Sequence, residues 1–285
     1  MMVNNTQSVR FAFFGSSRMS TVALDELKKA GLMPAIIVTT PDKPQGRKLI
    51  LSPNTVKVWG NEQSISVIDS LEKVSDLVAD VFIVASYGKI LPSSVFNRAT
   101  QGTLNIHPSL LPKYRGPSPL QQAMLDDAKH TGVTIMKIDE QMDHGPIVAQ
   151  KSITVNEWPT YEDFEEMMAR EGARLLAESL PSWIDGSIRA KEQDHAAATY
   201  TKKFTKEDGL ISLADLKSHP YDSFRKIQAF HEWPQAYILI EHAGKKIRVK
   251  ITSASYKNSK LILEKVVPEG SREMSYRDFT KGYGI

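Results

Sequence analysis

The segment Val9–Val38, VRFAFFGSSRMSTVALDELKKAGLMPAIIV, decides the fold of this chain. Its first apolar run is broken at Gly15, and the stretch that follows has apolar residues at helical spacing. These residues are Met19, Val22, Ala23 and Leu27. Gly31 and Pro34 end the predicted helix, and a second apolar run begins at Ala35. Two nearly continuous apolar strands joined by an amphipathic helix predict a β-α-β unit of a parallel sheet.

Similar apolar runs recur downstream and extend the predicted sheet. They cover Ile65–Ile68, Val81–Ser86, Thr103–His107, Gly132–Ile138 and Ile147–Ile153. Thr160 and Asp163 have the spacing of a capping box, which predicts a long helix to about Ile184. This order predicts an α/β fold with a Rossmann-like, parallel-rich sheet whose ligands bind beyond the carboxyl ends of the strands. The turn Gly15-Ser16-Ser17 lacks a GxGxxG fingerprint, so it indicates a strand-to-helix turn and not a dinucleotide site.

The pattern changes after the long helix. Residues Asp185–Lys206 are mostly polar and are predicted to form a connector. Beyond them we predict a helix and three alternating strands, at Pro220–Phe230, Ala236–Glu241, Lys246–Thr252 and Lys260–Val266. Short strands at this spacing predict a small C-terminal β-barrel of the OB-like type. We therefore expect an α/β domain at 1–188, a linker at 189–206 and a barrel domain at 207–285.

Positive charge is concentrated in the predicted barrel domain. The chain of 285 residues is 41% hydrophobic, which is enough for folded cores, and its net charge is +3. Residues 201–285 carry 16 Lys and Arg against 10 Asp and Glu, a balance of +6, which leaves −3 for residues 1–200. A basic terminal domain favours a polyanionic partner, and a solvated basic surface is the alternative.

Several classes of protein are excluded by what the sequence lacks. There is no cysteine, so disulfides and thiolate metal sites are excluded. His107, His130 and His144 are scattered without an HxxxH or HxH spacing, so we expect no metal. The N-terminal segment has no apolar core, and no apolar run reaches the length of a membrane span. We therefore expect a cytoplasmic protein with no membrane partner.

Candidate catalytic residues lie in NIHPSLLPKYR, Asn105–Arg115, at the end of a predicted strand. Because side chains alternate along a strand, Asn105 and His107 project from the same face. An amide N–H and a protonated imidazole together can stabilise the oxyanion that forms during acyl transfer to an amine. About 36 residues later, Asp143 offers a carboxylate that could orient His107 and favour its charged form. No nucleophilic side chain is needed, because the substrate amine attacks.

Each of these residues also has a structural explanation when it is taken alone. His107 could be a buried structural histidine, and Asn105 could bond the backbone at a strand end. Asp143, which precedes His144-Gly145, could belong to an ordinary turn. The arrangement of the three residues is what favours catalysis.

The stretches NIHPSLLPKYRGPSPLQQAML and GVTIMKIDEQMDHGPIVAQ resemble the folate-dependent formyltransferases. The shared pattern is Asn-x-His, Ser-Leu-Leu-Pro and a downstream Asp-x-Gly. The resemblance implies that Asn105, His107 and Asp143 are catalytic and that 10-formyltetrahydrofolate is the formyl donor. It also implies a folate site made of Ser86, Tyr87, Gly88, Ile90, Leu91, Pro92, Ser109, Leu110, Leu111, Pro112 and Asp139. The chain departs from the family where Pro108 replaces a common Gly and His144 replaces a small polar residue.

Two features resemble the branch of this family that formylates methionyl-tRNA in translation initiation. The segment Thr39–Pro53 resembles an insertion that enters the tRNA acceptor arm in that branch, and Arg47 falls on its functional arginine. The basic terminal domain resembles a tRNA-contacting barrel. The resemblance thus implies initiator methionyl-tRNA as partner and a monomeric enzyme. Implied tRNA contacts are Lys43, Arg47, Lys48, Lys202, Lys203, Lys206, Lys246 and Arg248, with Lys245 and Lys250 as further candidates.

Two other functions remain open from the sequence. A formyltransferase for a sugar nucleotide or another small amine would use the same three residues, but it would not need the Arg47 loop. An RNA-binding protein that has lost catalysis would keep the barrel, but it would not need Asn105, His107 and Asp143 together.

Overall fold

The computed structural model describes residues 9–45 and 50–284. The chain forms two compact units, each built from discontinuous segments. The first comprises the residues up to Gly116 together with Thr131–Ile153 and Glu165–Tyr200. The second comprises Pro117–His130, Thr154–Phe164 and the chain from Thr201 onward. The domain boundaries expected from the sequence, at residues 188 and 206, stay a prediction.

Each apolar run predicted from the sequence up to residue 154 contains a strand. The strands are β1 (Phe11–Phe14), β2 (Ile36–Val38), β3 (Lys43–Gln45), β4 (Ile50–Ser52), β5 (Val67–Ile68), β6 (Val81–Val84), β7 (Thr103–His107), β8 (His130–Lys137) and β9 (Ile147–Thr154). However, β5 begins two residues later than predicted and β6 ends two residues earlier. Seven of them form one sheet in the order β5-β2-β1-β6-β7-β8-β9. The pairs from β5 to β7 are parallel, and β8 runs antiparallel to β7. This parallel-rich sheet confirms the predicted α/β fold.

Helices cover the sheet on both faces, so its central strands are apolar on both sides. The helices up to residue 184 are α1 (Arg18–Lys29), α2 (Thr55–Glu62), α3 (Ser93–Phe96), α4 (Pro119–Leu125) and α5 (Tyr161–Ile184), of which α4 belongs to the second unit. All four residues of β1 are buried. One apolar cluster joins the sheet to α1, α2 and α5, and another joins its opposite face to α3. Gly172 permits a close approach of α5, because a Cβ there would lie 2.4 Å from Cγ2 of Ile106.

The starts of α1 and α5 are capped by side chains, and the cap at Thr160 was predicted from the sequence. Ser17 caps α1 through a reciprocal bond with Ser20, which confirms that Gly15-Ser16-Ser17 is a strand-to-helix turn. Thr160 accepts a hydrogen bond from the backbone N–H of Asp163 at 3.2 Å and donates to its carboxylate at 2.7 Å, just before α5.

The second unit contains an antiparallel sheet. Its later elements are α6 (Asp215–Ser218), α7 (Pro220–Ala229), β10 (Tyr237–His242), β11 (Lys245–Lys257), β12 (Lys260–Pro268), β13 (Met274–Ser275) and α8 (Tyr276–Tyr283). The sheet order is β10-β11-β12-β13, and every pair is antiparallel. The predicted small β domain is confirmed. β11 extends five residues beyond the predicted Thr252, past a register shift at Ser253.

The topology places the candidate site at one edge of the first sheet. β6 and β7 are parallel neighbours, with Val84 paired to Asn105. Their carboxyl ends, which lead into Ser86 and His107, therefore meet at the same edge, as the sequence predicts. Within residues 9–45 and 50–284, no helix has both the length and the apolar character that crossing a bilayer requires.

Candidate active site

Asn105 and His107 lie on the same face of β7, as strand alternation requires. Ile106 between them belongs to the apolar cluster under α5, so it faces the other way. His107 is 4% exposed, whereas Asn105 is half-buried. A polar pair is thereby presented at the carboxyl end of a rigid central strand.

Both ring nitrogens of His107 face oxygen acceptors. Nδ1 lies 3.5 Å from Oδ1 of Asp143, and Nε2 lies 3.1 Å from the carbonyl oxygen of Tyr114. A carbonyl or carboxylate oxygen can only accept, so each nitrogen meets its neighbour best as an N–H donor. The structure thus brings the side chains of His107 and Asp143 together at the end of β7.

Asp143 is held in an unusual backbone conformation. Its φ of 51° is uncommon for a residue other than glycine, and such residues concentrate at functional sites. Its second carboxylate oxygen accepts a hydrogen bond from the backbone N–H of Gly116 at 2.8 Å. Two residues later, Gly145 passes so close to Lys137 that a Cβ would lie 2.0 Å from its carbonyl oxygen. No side chain fits at this position, so the motif Asp-x-Gly requires its glycine here.

The segment Ser86–Pro92, predicted to bind folate, leaves the sheet directly after β6. Ser86 and Gly88 have φ values of 49° and 75°, so the chain turns sharply there. Ser16 donates its hydroxyl hydrogen to the carbonyl oxygen of Tyr87 at 2.8 Å. Leu91 is buried, and Ile90 is 81% exposed. The segment combines bent backbone with exposed and buried apolar side chains, which suits a flat heterocycle with polar edges.

Tyr87 is the buried anchor of this segment. Its ring packs edge-on against Phe14, with centroids 5.8 Å apart. Among the described residues its buried hydroxyl has no hydrogen-bond partner, and burial raises the pKa of this phenol. A buried polar atom without a partner is compatible with a polar ligand at this end of the sheet.

The Ser109–Pro112 turn is stiffened by its own hydrogen bonds. Ser109 is fully buried and donates its hydroxyl hydrogen to the carbonyl oxygen of Lys113 at 2.6 Å. Thr134 donates to the carbonyl oxygen of Ser109 at 2.6 Å and accepts from the N–H of Leu111 at 3.2 Å. Gln150 donates to the carbonyl oxygen of Leu111 at 2.8 Å. The turn therefore forms a rigid wall next to His107.

Asp139, also predicted to bind folate, contacts His144. Its Oδ2 lies 2.6 Å from Nδ1 of His144. The ring of His144 stacks on that of His195, with centroids 4.0 Å apart and planes 1° apart. The histidine that departs from the family pattern is thus held between a carboxylate and a second imidazole.

The predicted tRNA-binding residues have differing environments. Lys43 is exposed at the start of the β3–β4 hairpin, while Arg47 and Lys48 lie outside the described residues. In the second unit, Lys202 pairs with Asp208 at 2.5 Å. The guanidinium of Arg248 lies over the ring of Tyr237, 3.8 Å from its centroid. Four of the remaining candidates are exposed, namely Lys203, Lys206, Lys245 and Lys246, whereas Lys250 is half-buried.

Three residues that contact the site were missed by the sequence analysis. Tyr114 and Gly116 contact the site through backbone atoms, and such contacts cannot be predicted from the type of residue. Gln193 lies in the polar stretch predicted to be a connector, and its amide donates to the backbone carbonyl oxygens of Asp143 and Gly145. A buried glutamine inside a polar stretch carries no distinctive sequence signal. Within the described ranges, no cluster of three or more His, Asp or Glu side chains is arranged to hold a metal ion.

Comparison with known proteins identifies the family. The family described as "Formyl transferase" matches residues 9–180. The chain belongs to the formyltransferase family. It is an enzyme of formyl transfer, and its formyl donor is 10-formyltetrahydrofolate.

Relatives extend this similarity over most of the chain. A methionyl-tRNA formyltransferase from Halalkalibacterium halodurans is 30% identical, covering 97% of this chain and 95% of that protein. One from Chloroflexus aggregans is 40% identical, covering 80% and 76%. A solved structure of a methionyl-tRNA formyltransferase from Clostridium thermocellum has a TM-score of 0.59 at 16% identity, covering 91% of this chain and 99% of that one. This structural likeness shows a shared fold.

Proposed function

We propose that this enzyme transfers the formyl group of 10-formyltetrahydrofolate to the α-amino group of methionyl-initiator tRNA, using Asn105, His107 and Asp143. The observation that carries the assignment of the site is the approach of Asp143 to His107, 3.5 Å apart at the carboxyl edge of the sheet. The assignment of the acceptor is supported by relatives named methionyl-tRNA formyltransferase at 30–40% identity. The product initiates translation.

The first task of the site is to stabilise negative charge. The attacking amine converts the formyl carbon into a tetrahedral centre with an oxyanion. Asn105 supplies a neutral N–H donor from a rigid strand. His107 supplies a charged donor, which is roughly twice as strong as a neutral one. In this structure the Nε2 N–H of His107 donates to the carbonyl oxygen of Tyr114. The oxyanion competes with that carbonyl oxygen for the same N–H.

The second task is to move a proton. The attacking nitrogen carries an extra proton in the tetrahedral intermediate, and the departing folate nitrogen needs one. Asp143 orients His107 through Nδ1 and accepts the ammonium proton, directly or through water. His107 is the acid nearest the oxyanion and returns a proton to the leaving nitrogen. The proton on Asp143 then passes to His107 through water, so both side chains return to their starting protonation states. The products are formyl-methionyl-tRNA and tetrahydrofolate.

Folate binds beside this centre. We assign its heterocycle to Ser86–Pro92, where bent backbone supplies donors and acceptors and Leu91 supplies apolar contact. We assign the stiff Ser109–Pro112 turn, which adjoins His107, to the same folate site. Asp139 helps to hold the loop that carries Asp143.

The tRNA is held by basic residues outside the catalytic centre. We assign the acceptor stem to Lys43, Arg47 and Lys48 on the basis of the sequence resemblance. The exposed lysines of the second unit, with Arg248, supply phosphate contacts. We further propose that the enzyme acts as a monomer in the cytoplasm, where charged tRNA is present.

A formyl-transfer assay with three acceptors tests this function. The acceptors are methionyl-initiator tRNA, free methionine and an amino-sugar nucleotide, each with 10-formyltetrahydrofolate. We expect product with the charged tRNA and none with the two small amines. Product with a small amine alone would replace the tRNA assignment while keeping the catalytic residues. No product with any acceptor would favour an RNA-binding protein without catalysis.

A further inference from the structure

Gln193 links the backbone around Asp143 to Arg115. Its side chain is buried, at 5% exposure. Nε2 donates to the carbonyl oxygen of Asp143 at 3.0 Å and to that of Gly145 at 2.7 Å. Oε1 accepts from Nε and Nη2 of Arg115, at 3.2 and 2.7 Å. The whole hydrogen-bonding capacity of one carboxamide is thereby used.

The partners of Gln193 dictate the orientation of its amide. Backbone carbonyl oxygens only accept hydrogen bonds, and a guanidinium only donates them. A flipped amide would place acceptor against acceptor at Asp143 and donor against donor at Arg115. Arg115 is 1% exposed, so burial holds the guanidinium that enforces this orientation.

The segment that carries Gln193 is anchored on both sides. Lys191 exchanges two backbone hydrogen bonds with Ile147, the first residue of β9, at 2.7 and 2.8 Å. The carbonyl oxygen of Thr199 accepts from the backbone N–H of Arg115 at 2.8 Å. The segment that carries Gln193 is therefore held by contacts outside residues 143–145.

A second contact from Arg115 reaches the same loop. Nη2 of Arg115 donates to Nδ1 of His195 at 2.9 Å. His195 in turn stacks on His144, which lies between Asp143 and Gly145. The guanidinium thus supports the loop both through Gln193 and through the stacked rings.

Asp143 needs such support because its backbone is strained. A positive φ for a residue other than glycine persists only where the surroundings impose it. The bond from Gly116 fixes the carboxylate, but it does not fix the main chain. Gln193 contacts the carbonyl of Asp143 itself and that of Gly145, two residues on.

We propose that Gln193 is a positioning residue for formyl transfer that acts through Asp143. It holds the loop on both sides of His144, so that Asp143 keeps its conformation and faces His107. Arg115 keeps the Gln193 amide in the required orientation. This proposal rests on the proposed function, because it presumes that Asp143 is catalytic.

Gln193→Glu tests the proposal with little change in shape. The variant keeps an oxygen toward Arg115 but turns a second oxygen, in place of the NH₂ group, toward two carbonyls. We expect kcat for methionyl-tRNA formylation to fall about 10- to 100-fold, while KM for folate and tRNA changes less than about threefold. Gln63→Glu is the matched control, since it adds the same charge where the side chain accepts from Lys28 at 2.7 Å. The control should keep the original kcat.

A double-mutant cycle with Asp143→Asn separates positioning from an independent effect. If Gln193 acts through Asp143, adding Gln193→Glu to Asp143→Asn lowers kcat no further. The proposal is overturned if the fold losses in kcat of the two single variants multiply in the double variant. It is also overturned if folded Gln193→Glu keeps the full kcat. Should the Glu variant fail to fold, the uncharged Gln193→Met takes its place in the same cycle. Full kcat in Asp143→Asn alone is a distinct result, because it overturns the catalytic role of Asp143 and this proposal with it.

Discussion

The carboxylate of Asp143 lies 3.5 Å from the imidazole of His107, although about 36 residues separate them in the sequence. The histidine ends a central strand, while the aspartate comes from a loop with positive φ. A strand end is rigid, whereas a strained loop depends on its neighbours. The geometry of the proposed catalytic pair therefore depends on the conformation of the loop that carries Asp143.

Asp143→Asn removes the charge but keeps the shape of this side chain. The Asn oxygen can still accept from Gly116, which leaves its NH₂ group facing Nδ1 of His107. An NH₂ group cannot accept a hydrogen bond from an Nδ1 N–H, so the variant loses the acceptor that Asp143 offers to His107. We expect kcat to fall on the order of 10²- to 10⁴-fold, with a smaller change in KM, in steady-state formylation assays. Asp185→Asn, at an exposed turn, is the control. A kcat within about threefold of wild type would remove Asp143 from the mechanism.

Asn105→Ala removes the neutral donor to the oxyanion. The loss of one such donor typically costs about 2.7–4 kcal/mol in the barrier, or 10²- to 10³-fold in kcat. Because Asn105 is half-buried at a strand end, we expect the melting temperature to change little. Asn97→Ala, at the exposed end of α3, should leave both quantities unchanged. Unaltered kcat in folded Asn105→Ala would mean that another group binds the oxyanion.

Arg47→Ala tests the loop that the sequence assigns to the acceptor stem. If Arg47 contacts tRNA, kcat/KM for methionyl-tRNA should fall by at least about tenfold, since a charge-assisted phosphate contact is lost. Binding of the folate co-substrate, measured by calorimetry, should not change. Arg10→Ala, in the same unit, controls for the loss of one positive charge. Equal kcat/KM in both variants would remove Arg47 from tRNA recognition.

Glu26→Gln tests a buried charge cluster far from the chemistry. The hydrogen bond from Lys29, helped by Arg170 and Arg174, holds the pKa of Glu26 at about 2, although burial opposes this. A lowered folded-state pKa stabilises the protein above pH 4.5, and this stabilisation is lost as pH falls toward 2.

We therefore expect Glu26→Gln to destabilise the protein at pH 7 by about 1–3 kcal/mol. Thermal unfolding from pH 7 to pH 3 should show the difference from wild type narrowing as pH falls. Glu178→Gln, at an exposed position of α5, is the control. A difference that is constant across this range would show that the charge of Glu26 does not stabilise the fold.

The sequence predicted the elements whose formation is governed by local patterns. Val9–Val38 folds as the predicted β-α-β unit because apolar runs, helical spacing and serine capping all favour it. The predicted bounds of the strand Thr103–His107 are correct, because the strand is buried and its apolar residues mark its length. Strand alternation and parallel topology then placed Asn105 and His107 at the ligand edge.

The parts that were not predicted depend on tertiary contacts. The extension of β11 to Lys257 requires β12 as a partner, and a mixed polar sequence does not reveal it. Tyr114 and Gly116 act through backbone atoms, which are the same in every residue type. The contact of Gln193 with Asp143 joins two segments that are 50 residues apart, so it depends on how the polar segment 189–206 packs against the loop.

The single-turnover rate of His107→Ala tests the central claim most directly. Pre-bound 10-formyltetrahydrofolate would be mixed with methionyl-initiator tRNA, and formyl-methionyl-tRNA would be quantified over time beside tRNA affinity. We expect the rate to fall by at least about 10³-fold while the tRNA Kd stays within about threefold. A wild-type rate with unchanged binding would contradict the account, because formyl transfer would then proceed without His107.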